Sequence, residues 1–118
     1  MKSNFLFLAL TLAATLSTVA CSRFRHHASN ELTAQEKQGQ ELFTSSCAPC
    51  HVTNEIPLPT KPPNLDGLFR KPTLPSGAPA TDDQVRKTIR EGRGVMPPFA
   101  SALQEDDINA IVAYLHTR

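Results

Sequence analysis

Residues 105–117 carry apolar side chains at Ile108, Ile111, Val112 and Leu115, the i, i+3, i+4, i+7 spacing of a helix with one buried face. Tyr114 lies beside that stripe, and Glu105, Asp106 and Asp107 fill the first turn, where the helix dipole favours negative charge. Gln104 before them is a poor N-cap by side-chain chemistry, so the start is weakly marked. A second helix is predicted over 82–92, with Thr81 as N-cap and Gln84 in the capping-box position. Val85 and Ile89 form its stripe, Arg86, Lys87, Arg90 and Arg93 make it basic, and Gly92 and Gly94 end it. A first helix is predicted over 34–47, opened by a capping box of Thr33 and Glu36. Gly39 in its interior costs about 1 kcal/mol relative to Ala, so another backbone is expected to pass close there, on the face shared with Phe43. No alternating strand pattern of useful length occurs. All ten prolines fall within residues 49–98, which places a stiff, looped middle between helical ends.

The N-terminus has a different pattern. Lys2 precedes an uncharged apolar run from Phe5 to Leu16, followed by Ser17-Thr18-Val19-Ala20-Cys21. A basic start, an apolar segment and small residues make a secretory signal. Its ending resembles a bacterial lipoprotein signal, in which Cys21 becomes the lipidated first residue. Simple cleavage after Ala20 and an uncleaved anchor are the other readings. The expected organisation is a signal over 1–20, a lipidated flexible tether over 21–32 and a folded domain over 33–118. The tether, with His26 and His27 as solvated linker residues, would span roughly 35 Å fully extended. The domain is expected outside the cytoplasm, on the periplasmic side, held to a membrane through lipid on Cys21 or, alternatively, soluble there.

Composition narrows the function. Loss of residues 1–20 removes Lys2 and leaves 11 basic against 11 acidic side chains, which gives no overall drive toward nucleic acid. The remaining chain has four Phe, one Tyr and no Trp. A domain of this size buries only about 60–65% of its unfolded surface, so a non-protein group is expected to fill part of its interior.

That group is indicated by Cys47-Ala48-Pro49-Cys50-His51. C-x-x-C-H reads as covalent attachment of c-type haem: two thiols one helical turn apart reach two vinyl groups on one porphyrin edge, and the adjacent imidazole reaches the iron. A structural disulfide leaves His51 unexplained. A thioredoxin-type dithiol sits where a strand feeds a helix, and zinc commonly takes a second cysteine pair that this chain lacks. With Met1 in the signal, Met96 is the remaining thioether, in Gly92-Arg93-Gly94-Val95-Met96-Pro97-Pro98-Phe99. Pro97 biases Met96 away from helical torsions, and the loop is suited to hold one side chain as the second axial ligand. His116, His26 and His27 are the fallback ligands.

Taken together, the chain resembles a class I monohaem cytochrome c over about residues 33–118. The resemblance rests on Cys47–His51, on Ile89–Phe99 around Met96, and on the closing run Asp107–Leu115. It implies a small all-α fold of three to five helices around one covalently bound haem, the first helix crossing the last where Gly39 and Phe43 meet Tyr114 and Leu115. Pro63-Asn64-Leu65 is similar to the family's Pro-Asn-Leu element, which implies that the Pro63 carbonyl accepts a hydrogen bond from His51. Arg70, Lys71 and Arg93 are candidate partners of the haem propionates.

A six-coordinate His51/Met96 iron has no open position for substrate, so outer-sphere electron transfer is the expected work, without catalysis. Its partners would be protein donors and acceptors, membrane-associated if Cys21 is lipidated, and the chain is expected to be a monomer without nucleic-acid contacts. The rival readings are a peroxidase or gas sensor in which Met96 dissociates, and an electron-transfer subunit fixed to a dehydrogenase or reductase.

Overall fold

The computed structural model describes residues 31–118. The signal, Cys21, His26, His27 and most of the tether lie outside the described residues. Four helices and one 3₁₀ turn follow in order: α1 (Ala34–Ser46), α2 (Ala48–His51), a 3₁₀ turn (Leu68–Arg70), α3 (Asp82–Glu91) and α4 (Glu105–His116). Among the described residues there is no strand beyond two isolated bridges, Thr73 with Pro79 and Arg93 with Met96. The all-α expectation holds.

The N-terminus of α1 forms the reciprocal box expected of its sequence. Thr33 Oγ1 accepts from the Glu36 N–H at 3.2 Å, and the Thr33 N–H donates to Glu36 Oε2 at 2.6 Å. The helix ends one residue before the predicted boundary. Cys47 caps it by donating its N–H to the Phe43 carbonyl. Pro49, two residues on, cannot continue the α1 ladder because it has no N–H and its ring crowds the preceding turn.

At the start of α4, Gln104 makes no cap bond through its side chain, as its chemistry suggests. Its main-chain N–H donates to Asp107 Oδ2 at 3.0 Å, so the acidic first turn provides the cap that the Gln104 side chain was not expected to give. Asp107 Oδ1 also accepts from Gln38 Nε2 at 3.0 Å and ties this end of α4 to α1.

Helices α1 and α4 cross at Gly39. A Cβ built there would lie 1.9 Å from the Ala110 carbonyl oxygen, 2.5 Å from its carbon and 2.9 Å from Tyr114 Cβ. Only a residue without a side chain lets the two backbones meet so closely. Below the crossing, Phe43, Ile108, Ile111, Val112 and Leu115 are buried almost completely, and Leu68, Leu74, Val85 and Ile89 complete the core. Phe43 is the one aromatic side chain among these.

The basic face of α3 is partly neutralised within the fold. Arg86 bonds to Asp83 at 2.9 Å and to Asn109 at 3.3 Å, and Arg90 pairs with Glu105 at 3.0 Å. Such exposed pairs contribute little stability, and they leave Lys87, with Arg93 just beyond the helix, without a carboxylate partner among the described residues. No helix of the described residues is long and apolar enough to cross a membrane.

Candidate functional site

The turn of α2 exists because Cys47 to His51 close on themselves. Cys50 and His51 both donate their N–H to the Cys47 carbonyl, at 3.2 and 2.9 Å. One turn then separates the two thiols and places the imidazole immediately after the second. Neither cysteine is in a disulfide. Burial, and to a smaller degree the neighbouring Cys50, pushes the Cys47 thiol up to about 11. A redox dithiol needs the opposite shift, toward thiolate at neutral pH, so the thioredoxin-type reading loses support. Zinc fares no better, since the described residues contain no cluster of three or more His, Cys, Asp or Glu able to hold a metal ion.

His51 is held from the side. Its Nδ1 lies 2.8 Å from the Pro63 carbonyl oxygen. A carbonyl can only accept, so Nδ1 carries the proton and Nε2 keeps its lone pair for a ligand. The contact has the geometry that the Pro-Asn-Leu resemblance implies.

Met96 is half-buried and packs against the core. Arg93 and Met96 exchange both main-chain hydrogen bonds at 3.0 Å, which closes a tight turn with Gly94 at φ 58° and Val95 as its central residues. The turn is anchored on α3 by bonds from the Phe99 N–H to the Ile89 carbonyl and from the Ala100 N–H to the Arg90 carbonyl. Gly92, at φ 71°, makes this return possible, because a Cβ there would lie 2.5 Å from the Met96 oxygen and 2.8 Å from Pro98 N. Val52, directly after His51, and Val95, directly before Met96, are both exposed.

The fallback ligand His116 is engaged elsewhere. Its Nε2 lies 2.8 Å from Asp82 Oδ1, and its ring stacks on Phe69 at 3.8 Å between centroids. Of the propionate candidates, Lys71 and Arg93 are exposed and Arg70 folds over Gly67. Two residues escaped the sequence reading. Asp66 and Arg118 form an ion pair beside the His51 loop; no periodicity or motif links positions so distant in sequence.

Two free thiols, one imidazole held through Nδ1 and one thioether on a glycine-released turn fit haem c. The class defined by fold and site is therefore a small all-helical domain for one covalently attached haem. Independent comparison agrees. The sequence model of cytochrome c oxidase, cbb3-type, subunit III matches residues 34–115. Among curated proteins, the cytochrome c6 of Cladophora glomerata is 32% identical over 79 residues, covering 66% of this chain and 82% of that protein. The cytochrome c6 of Bryopsis maxima is 29% identical over 79 residues, covering 65% and 84% respectively. That of Leptolyngbya boryana is 24% identical over 82 residues, covering 70% and 91%. The chain belongs to the cytochrome c family. It is a haem c electron carrier and not a catalytic enzyme.

Proposed function

We propose that Cys47 and Cys50 carry the two thioether bonds, that His51 and Met96 take the axial positions, and that the protein passes single electrons between redox proteins outside the cytoplasm. The observation that carries this reading is the His51 imidazole, fixed through Nδ1–H on the Pro63 carbonyl one residue after the second of two free thiols. When bound, haem supplies a one-electron Fe(III)/Fe(II) couple, and Met/His ligation places its potential high. The chain's own work is to keep that couple from reorganising. Pro63 prevents the imidazole from rotating. Gly92 lets the Met96 turn seat against α3, and Pro97 and Pro98 stiffen the backbone that follows. Val52 and Val95 offer exposed apolar surface next to both ligands, suited to brief contact with a protein partner. Lipid on Cys21 would confine the carrier to a membrane surface on the periplasmic side.

A second reading, an electron-transfer subunit fixed in a larger complex, takes support from the matching family model, which is that of an oxidase subunit. It shares the ligation and differs in whether the domain leaves its partner.

The test is spectroscopic. Expressed with c-type haem maturation, the protein is expected to show a covalently bound low-spin haem with a methionine-to-iron charge-transfer band. Met96→Ala should abolish that band and lower the potential by ~0.2 V, a quarter of the roughly 0.8 V that axial ligands command. An unchanged spectrum removes Met96 as ligand. Mass spectrometry of the same preparation decides the anchor, since an unmodified Cys21 rules out lipidation.

A further inference from the structure

We propose that Arg118 and Asp66 act as a clamp that positions His51 through the loop carrying Pro63. This rests on His51 being an iron ligand. The loop cannot hold itself. From Ile56 to Asp66, no main-chain N–H donates to another main-chain group among the described residues. The segment includes four prolines, which have no N–H to give. Its fixed points are few. The Pro63 carbonyl accepts from His51, and Asn64 Oδ1 accepts from the Asp66 N–H at 2.7 Å in an Asx-type turn. The Leu65 carbonyl accepts from the Leu68 N–H at 3.2 Å, and further support comes from beyond the end of α4.

Arg118 grips the loop twice. Its guanidinium donates through Nε to Asp66 Oδ1 at 2.7 Å, with Nη2 2.6 Å from the same oxygen. Its main-chain oxygen accepts from the Gly67 N–H at 3.1 Å. Gly67 adopts φ 65°, a conformation that favours glycine, and this turns its N–H toward Arg118. The guanidinium is itself located by the core: its carbon lies 4.6 Å from the Phe43 ring centroid and 5.8 Å from that of Tyr114. The Arg118 side chain is 22% exposed and that of Asp66 52%, so solvent screens the pair in part while the two rings keep the guanidinium in place.

His51 and Arg118 also line one small cleft of about 100 Å³, together with Phe43 and Leu65. The connection is therefore short. The α1–α4 core fixes Arg118, Arg118 fixes Asp66 and Gly67, and these hold Pro63 three to four residues back with its carbonyl against His51 Nδ1. Arg118 and Asp66 touch neither the iron nor a ligand directly. They are positioning residues.

Exchange of the His51 Nδ1 proton with solvent, followed by NMR in the reduced, haem-loaded protein, tests the clamp. Arg118→Gln and Asp66→Asn should each accelerate exchange about tenfold, the loss of one charge-assisted hydrogen bond. The double variant should match the single ones, since both remove the same contact. Thr33→Ala, which removes the α1 cap far from this loop, serves as the control for general loss of stability and should leave exchange unchanged. The proposal is overturned if exchange in Asp66→Asn equals the wild type, if the two changes add, or if Thr33→Ala accelerates exchange equally. If Arg118→Gln does not load haem, Asp66→Asn alone decides. A wild-type protein without a low-spin spectrum fails the ligation reading. A normal spectrum with unaltered exchange fails only the clamp.

Discussion

The Cys47→Ser/Cys50→Ser chain is expected to hold no covalent haem and to lack a cooperative fold. Its own core is thin. Among the described residues ten hydrophobic side chains are buried, and Phe43 is the single aromatic of that set. Leu42, Leu65, Phe69, Met96, Phe99 and Leu103 pack against that cluster while remaining partly open. Within the Pro-rich segment between α2 and α3, the stretch Ile56–Asp66 donates no main-chain N–H to another main-chain group to offset its ordering, which costs about 1–2 kcal/mol per residue. A domain of this length is marginal even with a full core. Circular dichroism of the purified double variant should show a disordered chain at 25 °C, with no sigmoidal thermal transition. A sharp transition in the haem-free protein would contradict this expectation.

Gly39→Ala is the second large effect. The added methyl would overlap the Ala110 carbonyl, its oxygen 1.9 Å away, and neither atom belongs to a flexible side chain. Relief requires α1 and α4 to separate, which loosens Phe43 against Ile111 and Leu115. Alanine returns about 1 kcal/mol of helix propensity. Overpacking alone costs 1–3 kcal/mol, and the opened crossing adds lost burial. A net loss of about 3 kcal/mol lowers Tm by roughly 15 °C for a domain of this size. Thermal melts followed at the haem band and at 222 nm check it, and a Tm within 3 °C of the wild type would refute the crossing as described.

Local chemistry made much of this legible in advance. The Thr33–Glu36 box, the α4 stripe and the spacing of Cys47, Cys50 and His51 are each defined within a few residues, and each occurs where the sequence placed it. Gly39 could be suspected because a glycine within a helix needs a reason. The 3₁₀ turn at Leu68–Arg70 was not legible, because three residues carry no periodicity. Nor was the Asp107 cap, which works by a side chain folding back on a main-chain N–H rather than by the residue normally read as cap. The pairs Arg90–Glu105, His116–Asp82 and Arg118–Asp66 depend on the assembled helices, so a helix that reads as a free basic face proves partly satisfied.

The meeting of Gly39 with Ala110 also sets the order in which the molecule can be made. The two positions are about 70 residues apart, and closing a loop of that length costs about 4 kcal/mol beyond a constant. Among the described helices α4 is made after α1, so this crossing cannot form before Ala110 has been added. Until then α1, which leads directly into Cys47 and Cys50, lacks the helix it packs against. The attachment motif therefore follows directly on a helix whose packing depends on a partner about 70 residues away.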